Sequence, residues 1–154
     1  MDAQTSYRRA QPFTTLWVVL PIVLASTLFT QWANRDQHAV EGAAFMVLLF
    51  AAILLLLGRL VVELRGHTLL WHYGFVGWPR WSVLLDRIAR LERIKACSSA
   101  GAGIHGKAAN RNYNASIGGP ALRLTLDDGR IVTLGTPEPE RLQAFIEARR
   151  PLRH

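Results

Sequence analysis

The chain has 154 residues, half of them hydrophobic and 19% charged, enough for one compact unit or for a small unit with a membrane anchor, and too few for a large multi-domain enzyme. That composition excludes a disordered chain, and a single cysteine, Cys97, excludes an intramolecular disulfide framework. Eighteen Lys plus Arg against eleven Asp plus Glu give a formal charge of +7, which favours anionic partners without distinguishing lipid, nucleic acid and protein.

After an N-terminal arm, residues 1–12, the stretch 13–33 reads FTTLWVVLPIVLASTLFTQWA with no formal charge. About 20 helical residues at 1.5 Å each cover a hydrocarbon core of about 30 Å, so this run predicts a membrane span. Pro21 inside it is tolerated in lipid, where neighbouring helices and local adjustment satisfy the freed carbonyl. A second run, residues 42–62, reads GAAFMVLLFAAILLLLGRLVV and carries one charge, Arg59, near its end, from where a guanidinium snorkels to the interface. The first run is too long for the apolar region of a signal peptide, and no small-residue cleavage site precedes Asn34-Arg35-Asp36.

Arg8, Arg9, Arg59, Arg65 and Arg80 flank the hairpin outside, whereas the connecting loop, residues 34–41, holds only Arg35. The positive-inside rule therefore predicts cytoplasmic N- and C-termini. Trp17 and Trp32, with Arg59 and Arg65, are the expected membrane-interface residues, while Trp71, Trp78 and Trp81 read equally as belt or core residues. Ala44, Ala51 and Gly58 recur every seven residues on the second span, as do Ser26 and Ala33 on the first. These stripes either face each other as helix-packing surfaces or reflect only how common small residues are in membrane helices. Neither span has Asp, Glu, His or Lys in its middle, which removes the usual residues of an ion or proton pathway.

The remaining residues, 63–154, form a second region in which strand-like alternation begins at once. Leu69, Trp71 and Tyr73 share one face, Gly74 punctuates, and Trp81, Val83 and Leu85 share one face of the next run. Residues 84–95 are ambiguous, because Leu84, Ile88, Leu91 and Ile94 also fit helical spacing, and are read as strand. In residues 121–135 a hairpin is expected around Asp127-Asp128-Gly129. A two-residue turn would split Leu122, Leu124 and Leu126 from Val132 and Leu134. A three-residue loop with Gly129 in the left-handed region pairs Leu124 with Val132 and Leu122 with Leu134 and puts all five on one face, so it is preferred. Thr136 as cap, Pro137 and Pro139 in the first turn, Leu142, Phe145 and Ile146 as apolar face, and Arg149 and Arg150 before Pro151 predict a closing helix.

Gly103-Ile104, Tyr113-Asn114 with Ser116, Gly119, Ala121-Leu122-Arg123-Leu124, Asp128-Gly129-Arg130, Leu134-Gly135-Thr136 and Pro139-Glu140-Arg141-Leu142 resemble the end of bacterial two-span integral membrane proteins with a C-terminal pleckstrin-homology-like domain. The resemblance implies a strongly bent antiparallel sheet of about seven strands closed by the C-terminal helix, in the inner membrane of a bacterium. His105 and the Ala-, Lys- and Asn-rich stretch after it depart from the pattern, so the strand there is expected to be short or missing. The fold class is thus a membrane α-helical hairpin followed by a small α+β domain, mostly antiparallel β and PH-like, with a C-terminal helix. Such a family has no common activity, and a fold does not transmit one.

Candidate chemistry is thin. Gly101, Gly103, Gly106 and Lys107 fit two phosphate-cradling glycine patterns. Ala108 lacks the magnesium-binding hydroxyl, no helix pattern follows, and no Asp ends a later parallel strand, so a loop is the better reading. His38, His67, His72, His105 and His154 show no metal-ligand spacing, and Cys97 and Asp127-Asp128 show no catalytic arrangement. No catalytic residue, metal or cofactor is nominated, and no small-molecule substrate is identified. A nucleic-acid role would need exposed aromatics interleaved with the basic residues, which alternate here as core. The expected function is a membrane-anchored, non-catalytic interaction or accessory module, such as a small subunit of a larger inner-membrane complex. Its partners are the lipid bilayer and either a membrane protein or a second copy of the chain. The alternatives are an anionic lipid-headgroup sensor and, further off, a nucleotide-binding enzyme using residues 101–107.

Overall fold

The computed structural model describes residues 7–34, 38–96 and 102–150. Arg35, Asp36, Cys97, Gly101, Pro151 and His154, which figure in the expectations above, lie outside the described residues. Two apolar helices, α1 (Thr14–Ala33) and α2 (Ala39–Leu57), join a mostly antiparallel β region that ends in α3 (Pro139–Arg149).

The helices enter the β region differently from the sequence expectation. The arm is not separate: its residues form β1 (Tyr7–Pro12), which pairs antiparallel with β2 (Arg59–Arg65) in a ladder from Tyr7↔Leu64 to Pro12↔Arg59. The expected second span, residues 42–62, is corrected at both ends, since α2 begins at Ala39 and stops at Leu57. Leu60, Val61 and Val62 are apolar because they are buried in a sheet. Hydropathy cannot separate a lipid-facing helix from a buried strand when the two are contiguous. The hairpin α1–α2 is thus an insertion between two hydrogen-bonded strands.

The first sheet has the order β1-β2-β3-β4, with β3 at Thr68–Tyr73 and β4 at Arg80–Leu84. Leu69, Trp71, Tyr73, Val83 and Leu85 are buried and Trp81 is half-buried, as their alternation predicts. One 3₁₀ turn, Leu85–Arg87, then leads to β5 (Ile88–Lys95), so the ambiguous stretch, residues 84–95, is strand except for that turn. The second sheet runs β5-β8-β9-β7-β6, from β6 (Gly103–Lys107), β7 (Asn110–Asn114), β8 (Pro120–Leu126) and β9 (Ile131–Gly135). The resemblance implied about seven antiparallel strands. Nine strands lie among the described residues, of which β1 comes from the expected arm and β2 draws its first four residues from the expected second span. β7 adds to the far side of the β8–β9 hairpin and runs parallel to β9.

The β8–β9 register is the expected one, with Leu122↔Leu134 and Leu124↔Val132 paired and Gly129 at φ +80°. The five apolar residues of that hairpin join one core with β2, β3, β4 and α3, in which Leu142 and Ile146 are fully buried. Thr136 is not the cap of α3, whose N-cap is Glu138; it accepts a hydrogen bond from the Glu138 amide at 3.3 Å and pairs with the Tyr7 hydroxyl at 3.2 Å. Tyr7 also packs on Phe145 with ring centroids 5.6 Å apart. β1 is thereby stitched to α3. Replacing Tyr7 with Ala removes a buried ring and the Thr136 contact together, and by analogy with other buried aromatic truncations it should cost about 3 kcal/mol in denaturant titrations of the detergent-solubilised chain.

Candidate functional site

Two places gather aromatic and charged side chains: the junction between hairpin and sheet, and a cleft at the opposite end of the sheets. At the junction, the last carbonyls of α2 would be orphaned at a helix terminus. Here the chain itself satisfies them. Gly58 N–H donates to Leu54 O at 2.8 Å and Phe75 N–H to Leu55 O at 2.8 Å, while Gly58 O accepts from Phe13 N–H and from the Trp17 indole, each at 2.9 Å. The β3–β4 loop therefore caps α2. Its first residue, Gly74, sits at φ +70° so close to α2 that a Cβ would lie 2.3 Å from Leu56 O, which leaves room only for glycine.

Of the expected interface residues, Trp17 and Trp32 sit in the first and last turns of α1, fifteen residues and hence about 22 Å apart along the axis. Arg59 opens β2 instead of closing a helix; its guanidinium lies 4.2 Å from the Phe75 ring centroid and its Nε donates to Gly74 O at 3.3 Å. Arg65 is carried six residues along β2, about 20 Å from the junction, and pairs with Glu63 at 2.8 Å. That hydrogen bond, with burial opposing it, holds the Glu63 carboxyl below its ordinary range.

The helix-packing expectation is corrected. Ser26, Ala33, Ala44 and Ala51 are exposed, and only Gly58 of the expected stripes is buried, against its own helix and Phe75. The seam is built by Leu16, Leu20, Leu24, Thr27 and Gln31 on α1 and by Gly42, Ala43, Met46, Phe50, Ile53 and Leu54 on α2. Gly42 lies against the Gln31 amide, where a Cβ would come within 2.7 Å of it. Large side chains at helical spacing fill most of this seam, and close approach is confined to its Gly42–Gln31 end rather than following the expected stripes.

The glycine-rich run is corrected as well. Gly103, Gly106 and Lys107 belong to β6, a strand paired with β7, and no loop-to-helix anion cradle exists among them. A Cβ on Gly106 would stand 2.0 Å from Asn110 O, so its glycine serves strand pairing. Among the described residues no cluster of three His, Cys, Asp or Glu is arranged for a metal.

At the far end lies a cleft of about 390 Å³ walled by Trp71, Trp81 and Tyr113, with Arg87, Arg111 and Arg130 at its edge. The ring centroids of Trp81 and Tyr113 are 4.8 Å apart and those of Trp71 and Tyr113 are 5.3 Å apart. Arg87 bonds both Asp127 and Asp128, and Arg130 bonds Asp128, whereas Arg111 has no ion pair among the described residues. The Asp128 carboxyl is held below its ordinary range, chiefly by the Arg130 amide. The Trp71 indole N–H is buried without a partner. An aromatic wall, an available guanidinium and an unspent donor can bind a flat or extended anionic group. Sequence reading missed this cleft because its residues come from five separate strands and share no motif.

No protein-family model matches the chain, and no curated protein is significantly similar to it.

Replacing Trp71 with Phe keeps most of the packing and deletes an unpaired donor that costs roughly 1–3 kcal/mol when buried. Stability in denaturant titrations should therefore stay within about 1 kcal/mol of the parent despite the smaller ring. A second prediction concerns the tie between β1 and α3. The Arg9 guanidinium, bonded through Nε at 2.9 Å, holds the exposed Glu138 carboxyl below its ordinary range. Its contribution is present above the unfolded carboxyl range, near pH 4, and is lost as pH falls through the depressed folded value. The stability gap between parent and Glu138→Gln should close on acidification and be constant at neutral pH.

Proposed function

We propose that the chain is a membrane-anchored, non-catalytic interaction module of a bacterial inner membrane, with its β region on the cytoplasmic side. The observation that carries this reading is the hairpin. Thr14–Ala33 and Val40–Leu57 have mean hydropathy 1.6 and 2.6, and almost none of their residues is buried in the protein. Two bare apolar rods would be insoluble in water, and a hydrocarbon solvent removes that penalty. The side-chain hydroxyls of Ser26, Thr27 and Thr30 bond back to their own helix, which suits the same solvent. Cleavage after α1 would strip β1 from its sheet and Tyr7 from the core, which argues for retention of the helix. The flanking arginines support the cytoplasmic orientation, and a mostly antiparallel β region followed by a C-terminal helix is what a PH-like domain would need.

The far-end cleft, held away from the bilayer by the length of the sheets, is the interaction surface of this reading, and it suits an acidic segment of a membrane-protein partner. A reporter fused after residue 154 should be active only as a cytoplasmic fusion, one inserted in the loop 35–37 only outside, and carbonate washing should leave the chain in the membrane. Purification from native membranes in mild detergent should yield a stoichiometric partner that Arg111→Glu releases. An externally active C-terminal reporter, or a chain that washes off, rejects the anchor, and a partner indifferent to Arg111→Glu rejects the cleft.

A further inference from the structure

The β3–β4 loop, residues 74–79, exposes three large apolar side chains in succession. Phe75, Val76 and Trp78 are 47%, 67% and 66% exposed. A soluble surface scatters such residues singly, and a contiguous group of them marks a contact surface. The neighbour is given by the hydrogen bonding. Phe75 is bonded to Leu55, two residues before the end of α2, so the loop lies alongside the last turn, about 3 Å above the helix end. Whatever solvates the exposed side chains of Leu55, Leu56 and Leu57 extends over the loop.

Directly below it, on the outer face of the first sheet, is a cleft of about 260 Å³ lined by Arg8, Arg59, Arg80 and His72, with Glu63 and Arg65 at its far side. Register explains the gathering. Arg59 starts β2, and His72 pairs with Arg80 across β3 and β4. Glu63 is spent on Arg65, while Arg8, Arg59 and Arg80 have no ion pair among the described residues. An apolar loop with a positively charged hollow beneath it matches the layering of a bilayer surface, where acyl chains give way within several ångström to phosphates.

On the membrane reading above, we propose that this loop is a third membrane-contacting element, seated in the headgroup region beside α2, and that Arg59 and Arg80 hold the phosphate of an anionic phospholipid. Phe75 and Trp78 supply the amphipathic rings favoured at that depth. Arg59 is fixed against Phe75 and Gly74, so its charge is presented with little rotamer freedom left to lose. The loop also caps α2, so lipid contact and the orientation of the β region relative to the bilayer are mechanically one.

The test uses the full chain reconstituted in phosphatidylcholine vesicles with or without phosphatidylglycerol, containing lipids brominated at a shallow or a deep acyl position. Comparing the parent with Trp78→Phe isolates the Trp78 emission, which should be quenched more by shallow than by deep bromine. In parallel, spin-labelled lipids should show phosphatidylglycerol preferred over phosphatidylcholine at the protein surface. Arg80→Gln, on an exposed position that leaves the core untouched, should lower that preference about five-fold, the equivalent of about 1 kcal/mol per arginine near an anionic surface. Added inorganic phosphate should leave the preference in place.

Emission from Trp78 that ignores both labels, while Trp17 and Trp32 are quenched, overturns the loop contact and leaves the spans intact. If none of the tryptophans is quenched, the anchor and this inference fall together. A preference unchanged in Arg80→Gln overturns the headgroup site, and one abolished by free phosphate shows a soluble-anion site instead.

Discussion

The ladder between β1 and β2 is the constraint on which the rest of the structure depends. Six residue pairs, from Tyr7↔Leu64 to Pro12↔Arg59, bring the two ends of the apolar hairpin to adjacent strand positions. The hydrogen bond from Phe13 N–H to Gly58 O closes the gap at 2.9 Å. Strands lie about 4.8 Å apart, whereas packed helices need 8–10 Å, so the chain must splay as it leaves the sheet. The indole of Trp17, bonded to Gly58 O, spans part of that widening. Everything beyond it, the Leu and Phe seam of the helices on one side and the buried Leu60, Val62 and Leu64 on the other, is held in register by this short stretch of backbone.

The same ladder joins remote parts of the sequence. Tyr7 reaches Thr136 and Phe145, and Arg9 reaches Glu138, so the first strand contacts the last helix. Gln11 bonds Ser116 at 2.9 Å, between the loop after β7 and the strand that leads into α1. These contacts span more than a hundred residues of sequence. They bind the first strand to the rest of the β region along its whole length, from Gln11 beside the helices to Tyr7 at the other end of the ladder.

Local chemistry made several elements legible. Alternation found the buried faces of β3 and β4. The β8–β9 register followed from one demand, that Leu122, Leu124, Leu126, Val132 and Leu134 face the same way. The core of α3 followed from Leu142 and Ile146. What escaped was set by long-range pairing. β1, with Arg8, Arg9 and Gln11 among its six residues, has no strand-like apolar run and becomes a strand because β2 offers it an edge. β2 is apolar enough to extend a membrane helix on paper, and only the carbonyl capping at Gly58 and Phe75 shows where the helix stops. The glycines of β6 looked like a phosphate loop because close backbone approach is a need common to anion cradles and tight strand pairs. The small-residue stripes failed for a similar reason, since spacing identifies a face without identifying its neighbour.

Placing a hairpin inside a two-stranded ladder also orders the events of biogenesis. β1 leaves the ribosome before β2 and remains an unpaired edge until β2 follows, with 46 residues between Pro12 and Arg59. Between them the chain must complete both helices, and only an antiparallel arrangement of those helices returns Arg59 to the side of Pro12. A single helix formed alone, or two packed apart, leaves Tyr7 without its seat and α3 without Arg9. The completed domain is therefore a record that the helical hairpin was assembled correctly, written in the one strand pairing that a misassembled hairpin cannot form.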